Sequence, residues 1–157
     1  MENKFTHLNE KGEPGMVNVG EKKITKRTAT AQAIVYFGPD IMRILESSGW
    51  NNQKGNILQV ALVAGTMGAK KTAELIPFCH PVGLNTCHFE LEKLDDQIII
   101  QCTCEVEAKT GVEMEAITGA NIAAITVYDM CKSISKGIQI REVKLLSKTG
   151  GKSDYKN

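Results

Sequence analysis

The apolar positions of this chain repeat with two different periods. Residues 27–37, RTATAQAIVYF, step by two: Ala29, Ala31, Ala33, Val35 and Phe37 share one face, and Thr28, Thr30 and Gln32 share the other. That alternation predicts a half-buried strand. Residues 85–92 alternate again with Cys87, Phe89 and Leu91 inward; LDDQ supplies a turn, and 97–107 form the partner strand of a hairpin. A last strand, GIQIREVKLLSK, loses its alternation at Arg141-Glu142, which predicts a bulge.

Between the strands the period lengthens. PDIMRILESS reads as a short helix with Pro39 in its first turn and Gly49 at its end. The span from Asn56 to Ile76 reads as one long helix stopped by Pro77. EMEAITGANIAAITVYDMCK, residues 113–132, is a helix that is apolar on nearly every side, with Gly119 its one weak helix former. Thr110-Gly111-Val112-Glu113 has the form of a capping box, Thr110 as N-cap and Glu113 reaching back. The order strand, helix, strand, strand, helix, strand predicts an α+β, ferredoxin-like domain, its two main helices packed on one face of an antiparallel sheet. One domain over 1–157 is expected, with 1–26 a loose N-terminal arm and the glycine-rich stretch 149–157 a mobile tail.

Composition narrows the setting. A net charge of +1 creates no general field for nucleic acid or an acidic membrane, and 42% hydrophobic content is that of an ordinary globular chain. No secretion signal or membrane span is read, so the chain is expected to be cytoplasmic. The five cysteines are scattered, and Cys102 and Cys104 share the core face of their strand with Ile98, Ile100 and Val106. No C-x₂-C or H-x₃-H pair is present, so no metal site is expected; Cys79-His80 with His88 is the nearest approach to one.

Polar clusters interrupt this scaffold. Lys54 precedes the long helix in NQKG, and Cys79-His80 sit between two prolines in IPFCHP. Glu113 and Glu115 open the apolar helix; Asp129 and Lys132 close it on the stripe Thr118, Ile122, Ile125. That stripe predicts that Asp129 and Lys132 point inward. A buried ion pair and a functional acid–base pair both fit, and the helix alone does not decide between them. Together, several lysines, a histidine and an aspartate describe a pocket for an anionic substrate that gains and loses protons. GGKS fails as a phosphate-binding loop because Leu146 occupies the required first glycine.

THLNEKGEPGMVNV, QKGN, AGTMGAKKTAELIP, IPFCHP, KTGVEMEA, YDMCK and KTGGKS follow in order along essentially the whole chain. In them the sequence resembles the molybdenum cofactor biosynthesis protein C family, the cyclic pyranopterin monophosphate synthases. It departs from the usual family pattern at Asn18, where aspartate is common, and at Phe78, where leucine is. The resemblance implies a hexamer built as a trimer of dimers, with sites at subunit interfaces. It implies a lyase converting (8S)-3′,8-cyclo-7,8-dihydroguanosine 5′-triphosphate, supplied by a radical S-adenosylmethionine enzyme, into cyclic pyranopterin monophosphate and diphosphate. No cofactor is required, though magnesium accompanying the triphosphate is an open alternative. The matching motifs make Asp129, Lys132 and Lys54 the catalytic set. They give Phe78, Cys79, His80, Thr110, Gly111, Glu113, Met114 and Glu115 to the substrate, and place Arg27 and Lys148 against its triphosphate. The competing readings are a non-catalytic nucleotide-binding regulatory domain and a thiol or metal protein built on Cys79, His80 and His88.

Overall fold

The computed structural model describes residues 12–157; the first part of the expected N-terminal arm, 1–11, lies outside the described residues. Four long strands carry the sheet: β1 (Thr25–Tyr36), β4 (Thr86–Lys93), β5 (Gln97–Ala108) and β6 (Gln139–Thr149). They lie in the order β4-β5-β1-β6, every pair antiparallel, which is the ferredoxin-like arrangement. Helix α1 (Pro39–Ser47) starts on Pro39 as expected, and α2 (Ile57–Lys70) and α4 (Glu113–Cys131) pack together on one sheet face. Alternation in β1 and β5 delivers Ala29, Ala31, Ala33, Val35, Ile98, Ile100, Cys102, Cys104 and Val106 into the core. The bulge in β6 is where it was expected: Gln32 pairs with Lys144 and Ile34 with Arg141, so two residues oppose Ala33, and Glu142 takes a φ of 46°. A second bulge falls at Leu146, between the Thr30–Ser147 and Ala31–Leu145 pairs.

Three local expectations are corrected, and one small element is added. The long helix breaks at Lys71, where the Thr72 hydroxyl donates back to Ala69 at 2.9 Å, and α3 (Thr72–Leu75) follows as a separate turn. A small hairpin, β2 (Asn51–Asn52) and β3 (Gly55–Asn56), precedes α2, and Asn56 caps α2 by accepting from the Gln59 amide at 3.0 Å. The capping box does not form: Val112 is the N-cap of α4, without a side-chain bond, because the Glu113 carboxylate bonds Lys148 instead. The tail is not a free end. Tyr155–Lys156 forms β7, paired with Ser147 and Lys148, and Asp154 accepts from the Gly150 amide at 3.1 Å. Gly150 sits at φ +80°, with the site of a Cβ only 2.0 Å from the Lys26 carbonyl, so the turn of the tail depends on this glycine.

Glycines also decide how closely α2 and α4 approach. A Cβ at Gly65 would lie 2.6 Å from the Phe89 ring and 2.8 Å from the Gly119 carbonyl. At Gly68 it would meet Ile122 at 2.7 Å, and at Gly119 the Cys102 sulfur at 2.7 Å. An alanine at Gly65 gains roughly 1 kcal/mol of helix propensity but forces apart backbone that cannot yield cheaply. Overpacking of this kind costs about 1–3 kcal/mol. Gly65→Ala should therefore lower the denaturation midpoint, as chemical unfolding would show; an unchanged or raised midpoint would contradict so close a contact.

Candidate active site

The candidate residues collect at the two ends of α4. At its N-terminus, Phe78, Cys79, His80, Thr110, Gly111, Glu113, Met114 and Glu115 line a pocket of about 150 Å³. Gly111 and Glu113 are shared with an adjoining niche lined by Arg27, Lys148, Thr149 and Gly151. Here Lys148 Nζ reaches Glu113 at 3.0 Å, and Arg27 Nε donates to the Ala108 carbonyl at 3.0 Å. A Cβ on residue 111 would lie 1.9 Å from the Glu113 carboxylate, so the KTGVE turn holds that acid only over a glycine. Bringing cations beside the pocket suits a ligand with an apolar-walled ring at one end and phosphate at the other.

Two carboxylates in this pocket are tuned in opposite directions. Burial works to raise the pKa of Glu113, but its own amide, the Lys148 hydrogen bond and the charges of Lys148 and Arg27 outweigh it and hold it low. Glu115, only 4% exposed, is pushed up to about 7 by burial and by the neighbouring Glu113. Burial, then Glu115 and Glu113, raises the Cys79 thiol, which keeps it protonated. An acid poised near neutrality beside a histidine and a thiol can exchange hydrogen bonds with the polar edge of a heterocycle.

At the far end of α4, Asp129 bridges two lysines: Lys132 Nζ at 2.6 Å and Lys54 Nζ at 3.3 Å. Lys54 stands on the β2–β3 turn, where its amide donates to Asn52 Oδ1 at 2.7 Å, while Asn52 Nδ2 donates to the Met130 carbonyl at 3.0 Å. Asn52 thus fixes the hairpin to the end of α4, a role that the sequence reading missed. An asparagine two residues before a turn lysine was the available signal.

The expectation that Asp129 and Lys132 point inward is corrected for the single chain. The side chains of Asp129, Lys132 and Lys54 are 49%, 47% and 65% exposed in the single chain. Steps of three and four drift by about 20° per heptad on a true helix, and the stripe turns outward from buried Thr118 to exposed Ile125. The Lys132 pKa is raised, first by its hydrogen bond to Asp129, and Asp129 is lowered by Lys132 and then Lys54. The α4 flanks are also better covered than its composition suggests, since α2 and the sheet enclose them. Exposed apolar surface lies instead on Val60, Val63 and Met67 of α2, with Ile125.

Along α4 the two clusters are 16 residues apart, about 24 Å at the α-helical rise. Other clefts, such as a 490 Å³ groove lined by Met42, Arg43, Glu46, Lys93 and Asp95, bring together no comparable set. His88 stands out on β4, 4.0 Å from Glu90, and does not converge with Cys79 and His80 on a metal site among the described residues.

The family model described as the MoaC family matches residues 16–151. The chain belongs to the MoaC family. A cyclic pyranopterin monophosphate synthase of Xanthomonas campestris pv. campestris strain 8004 is 48% identical over 152 residues, covering 96% of this chain and 92% of the relative. One from Lysinibacillus sphaericus strain C3-41 is 47% identical over 155 residues, covering 96% of each chain. Membership of the MoaC family makes this chain an enzyme of molybdenum cofactor biosynthesis, which sets aside the non-catalytic regulatory reading. No helix among the described residues is long and apolar enough to cross a membrane.

Two measurements test these electrostatics. The proton that Glu115 holds in the folded state is bound more tightly than in the unfolded chain. Its contribution to stability is complete below the ordinary value of 4.5 and is lost as pH rises through about 7. The loss is about 3 kcal/mol at most. Glu115→Gln should flatten the fall in stability between those pH values, and an unaltered pH profile would place the ionisation elsewhere. Asp129→Asn should lower the Lys132 pKa, readable by NMR titration of its Nζ group; no movement would mean that the two are not coupled in solution.

Proposed function

We propose that this chain converts 3′,8-cyclo-7,8-dihydro-GTP into cyclic pyranopterin monophosphate with release of diphosphate, at a site made by two subunits. The reading rests chiefly on the distribution of the candidate residues over α4. One end offers a ring-sized pocket continuous with Arg27 and Lys148, and the other offers Asp129 between Lys54 and Lys132. About 24 Å of helix separates them, too far for one nucleotide to touch both on a single chain. A second copy, covering the apolar Val60, Val63, Met67 and Ile125 surface, supports a shared site. The assembly we favour is a hexamer, a trimer of dimers.

In this reading Phe78, Cys79, His80, Met114 and Glu115 hold the purine-derived ring, with Thr110 and Gly111 forming the rim. Arg27 and Lys148 neutralise the triphosphate and stabilise the departing diphosphate. Glu113 holds Lys148 in place until phosphate replaces it. Asp129, Lys132 and Lys54 come from the second subunit to move protons as the purine ring opens, the pyranopterin forms and the cyclic phosphate closes. Substrate and partner together would bury Lys132, and that desolvation opposes the rise caused by Asp129 and brings its pKa toward a useful range. No resident cofactor enters this chemistry; magnesium, where present, arrives with the triphosphate. The substrate comes from a radical S-adenosylmethionine enzyme one step earlier.

Lys132→Ala should cost about 10²–10⁴ in turnover with cooperative unfolding retained. Lys132→Arg should also be poor because guanidinium does not release a proton near neutral pH; near-normal turnover in that variant would make Lys132 a charge clamp. The decisive experiment refolds Arg27→Ala and Lys132→Ala together, each inactive alone. Random pairing puts about half the dimers in mixed form, with one intact site of two, so diphosphate release should recover to about a quarter of wild type. Background activity from proven mixed oligomers would mean that both residues serve one chain's site.

A further inference from the structure

Three thiols with no part in the chemistry above meet between the sheet and the helices. Cys87 of β4 stands directly opposite Cys104 of β5, and Cys102 follows two residues along on the same face. Their sulfurs form a nearly equilateral triangle, 3.8 Å from Cys87 to Cys102, 3.8 Å from Cys102 to Cys104 and 3.9 Å from Cys104 to Cys87. All three are free thiols, and their sulfurs are the one group of three potential ligands that converges among the described residues. Four sulfurs bound tetrahedrally at the zinc–thiolate length of about 2.3 Å lie about 3.8 Å apart along each edge. The triangle already has the dimensions of one face of that tetrahedron.

A site also needs an entrance. Cys102 and Cys104 are wholly buried, but Cys87 borders a cavity of about 370 Å³ that Thr66, Lys70, Val82 and Asn85 help to line. Cys87, half-buried where the other two are buried, is the thiol that an entering ion meets first.

We propose that Cys87, Cys102 and Cys104 form a three-thiolate site for a zinc ion, with a water from the adjoining cavity in the fourth position. Binding is a substitution without redox change: Zn²⁺ replaces the three thiol protons, which leave to solvent, and the zinc–trithiolate unit carries a net charge of −1. Lys70, at the cavity wall, offsets that charge. The ion clips β4 to β5 beneath α2, away from the residues assigned to catalysis. It is independent of the proposed reaction.

The test uses the full chain, reduced and stripped with a chelator, then titrated with Zn²⁺ against a chromophoric competitor and with Co²⁺ as a spectroscopic probe. One equivalent should bind, raise the melting temperature and give a thiolate-to-cobalt charge-transfer band. X-ray absorption on the zinc form should count three sulfur neighbours. Cys87→Ala, at the most accessible of the three, should lower affinity by more than the roughly 10–100-fold that an outer-shell partner costs. Cys79→Ala should bind as the parent does. Failure to bind saturably would overturn the proposal and leave the thiols as core packing. So would fewer than three sulfurs around the ion, a count that needs no variant to fold, or loss of binding in Cys79→Ala alone.

Discussion

The contact on which the rest of this structure depends is the close crossing of α2 and α4. Gly65 and Gly68 on one helix and Gly119 on the other leave no room for a Cβ, so backbone and small side chains meet directly. Dispersion is short-ranged, and such proximity is what lets two short layers fill a core from alanines and cysteines. Ala61, Ala69, Ala116, Ala120, Ala123 and Ala124 are all buried. The crossing seats α4 firmly on β1, β5 and β6. Its ends then project toward opposite edges of the domain.

From that seating comes the division of the chemistry. The N-terminal end of α4 meets the strand ends that carry Arg27 and Lys148, where half-burial makes the Glu113–Lys148 pair less screened than a surface pair. At the C-terminal end Met130 and Cys131 stay in the core while Asp129 and Lys132 turn outward beside the β2–β3 hairpin, so the Lys54–Asp129–Lys132 cluster stays wet in the single chain. Exposed ion pairs of this kind contribute little to stability. Under the proposed function, the dry surroundings that acid–base chemistry needs come from a partner subunit and the bound substrate.

Much of this was legible in the residues. Strict alternation in 27–37 and 97–107 placed β1 and β5, because one sheet face is buried and a slip of one residue would expose it. Pro39 placed α1, and the broken alternation at Arg141-Glu142 placed the bulge. Long ordered motifs pointed to the family and to the residues that collect around the pocket. What failed were inferences from local chemistry to local partners. Thr110 and Glu113 have the spacing of a cap, yet Lys148, 35 positions away, competes for the acid and wins. The glycine-rich tail looked unanchored, yet β6 offered a free edge that Tyr155–Lys156 could pair with.

The sequence by itself determined the order of the four long strands and the main helices, the ferredoxin-like topology, the core faces of β1, β4 and β5, and the family. The elements, their topology and their core faces follow from periodicity, and the family from resemblance in ordered motifs; both kinds of signal are local or repeat along the chain. Tertiary structure alone decided that Asp129 and Lys132 are exposed, that Asn52 holds the Lys54 hairpin, that Glu115 titrates near neutrality, and that Cys87 joins Cys102 and Cys104. Each depends on which distant segment arrives beside a side chain and how much water it displaces. Burial and pairing energies act through space over a few ångströms, a distance that spacing along the sequence does not encode.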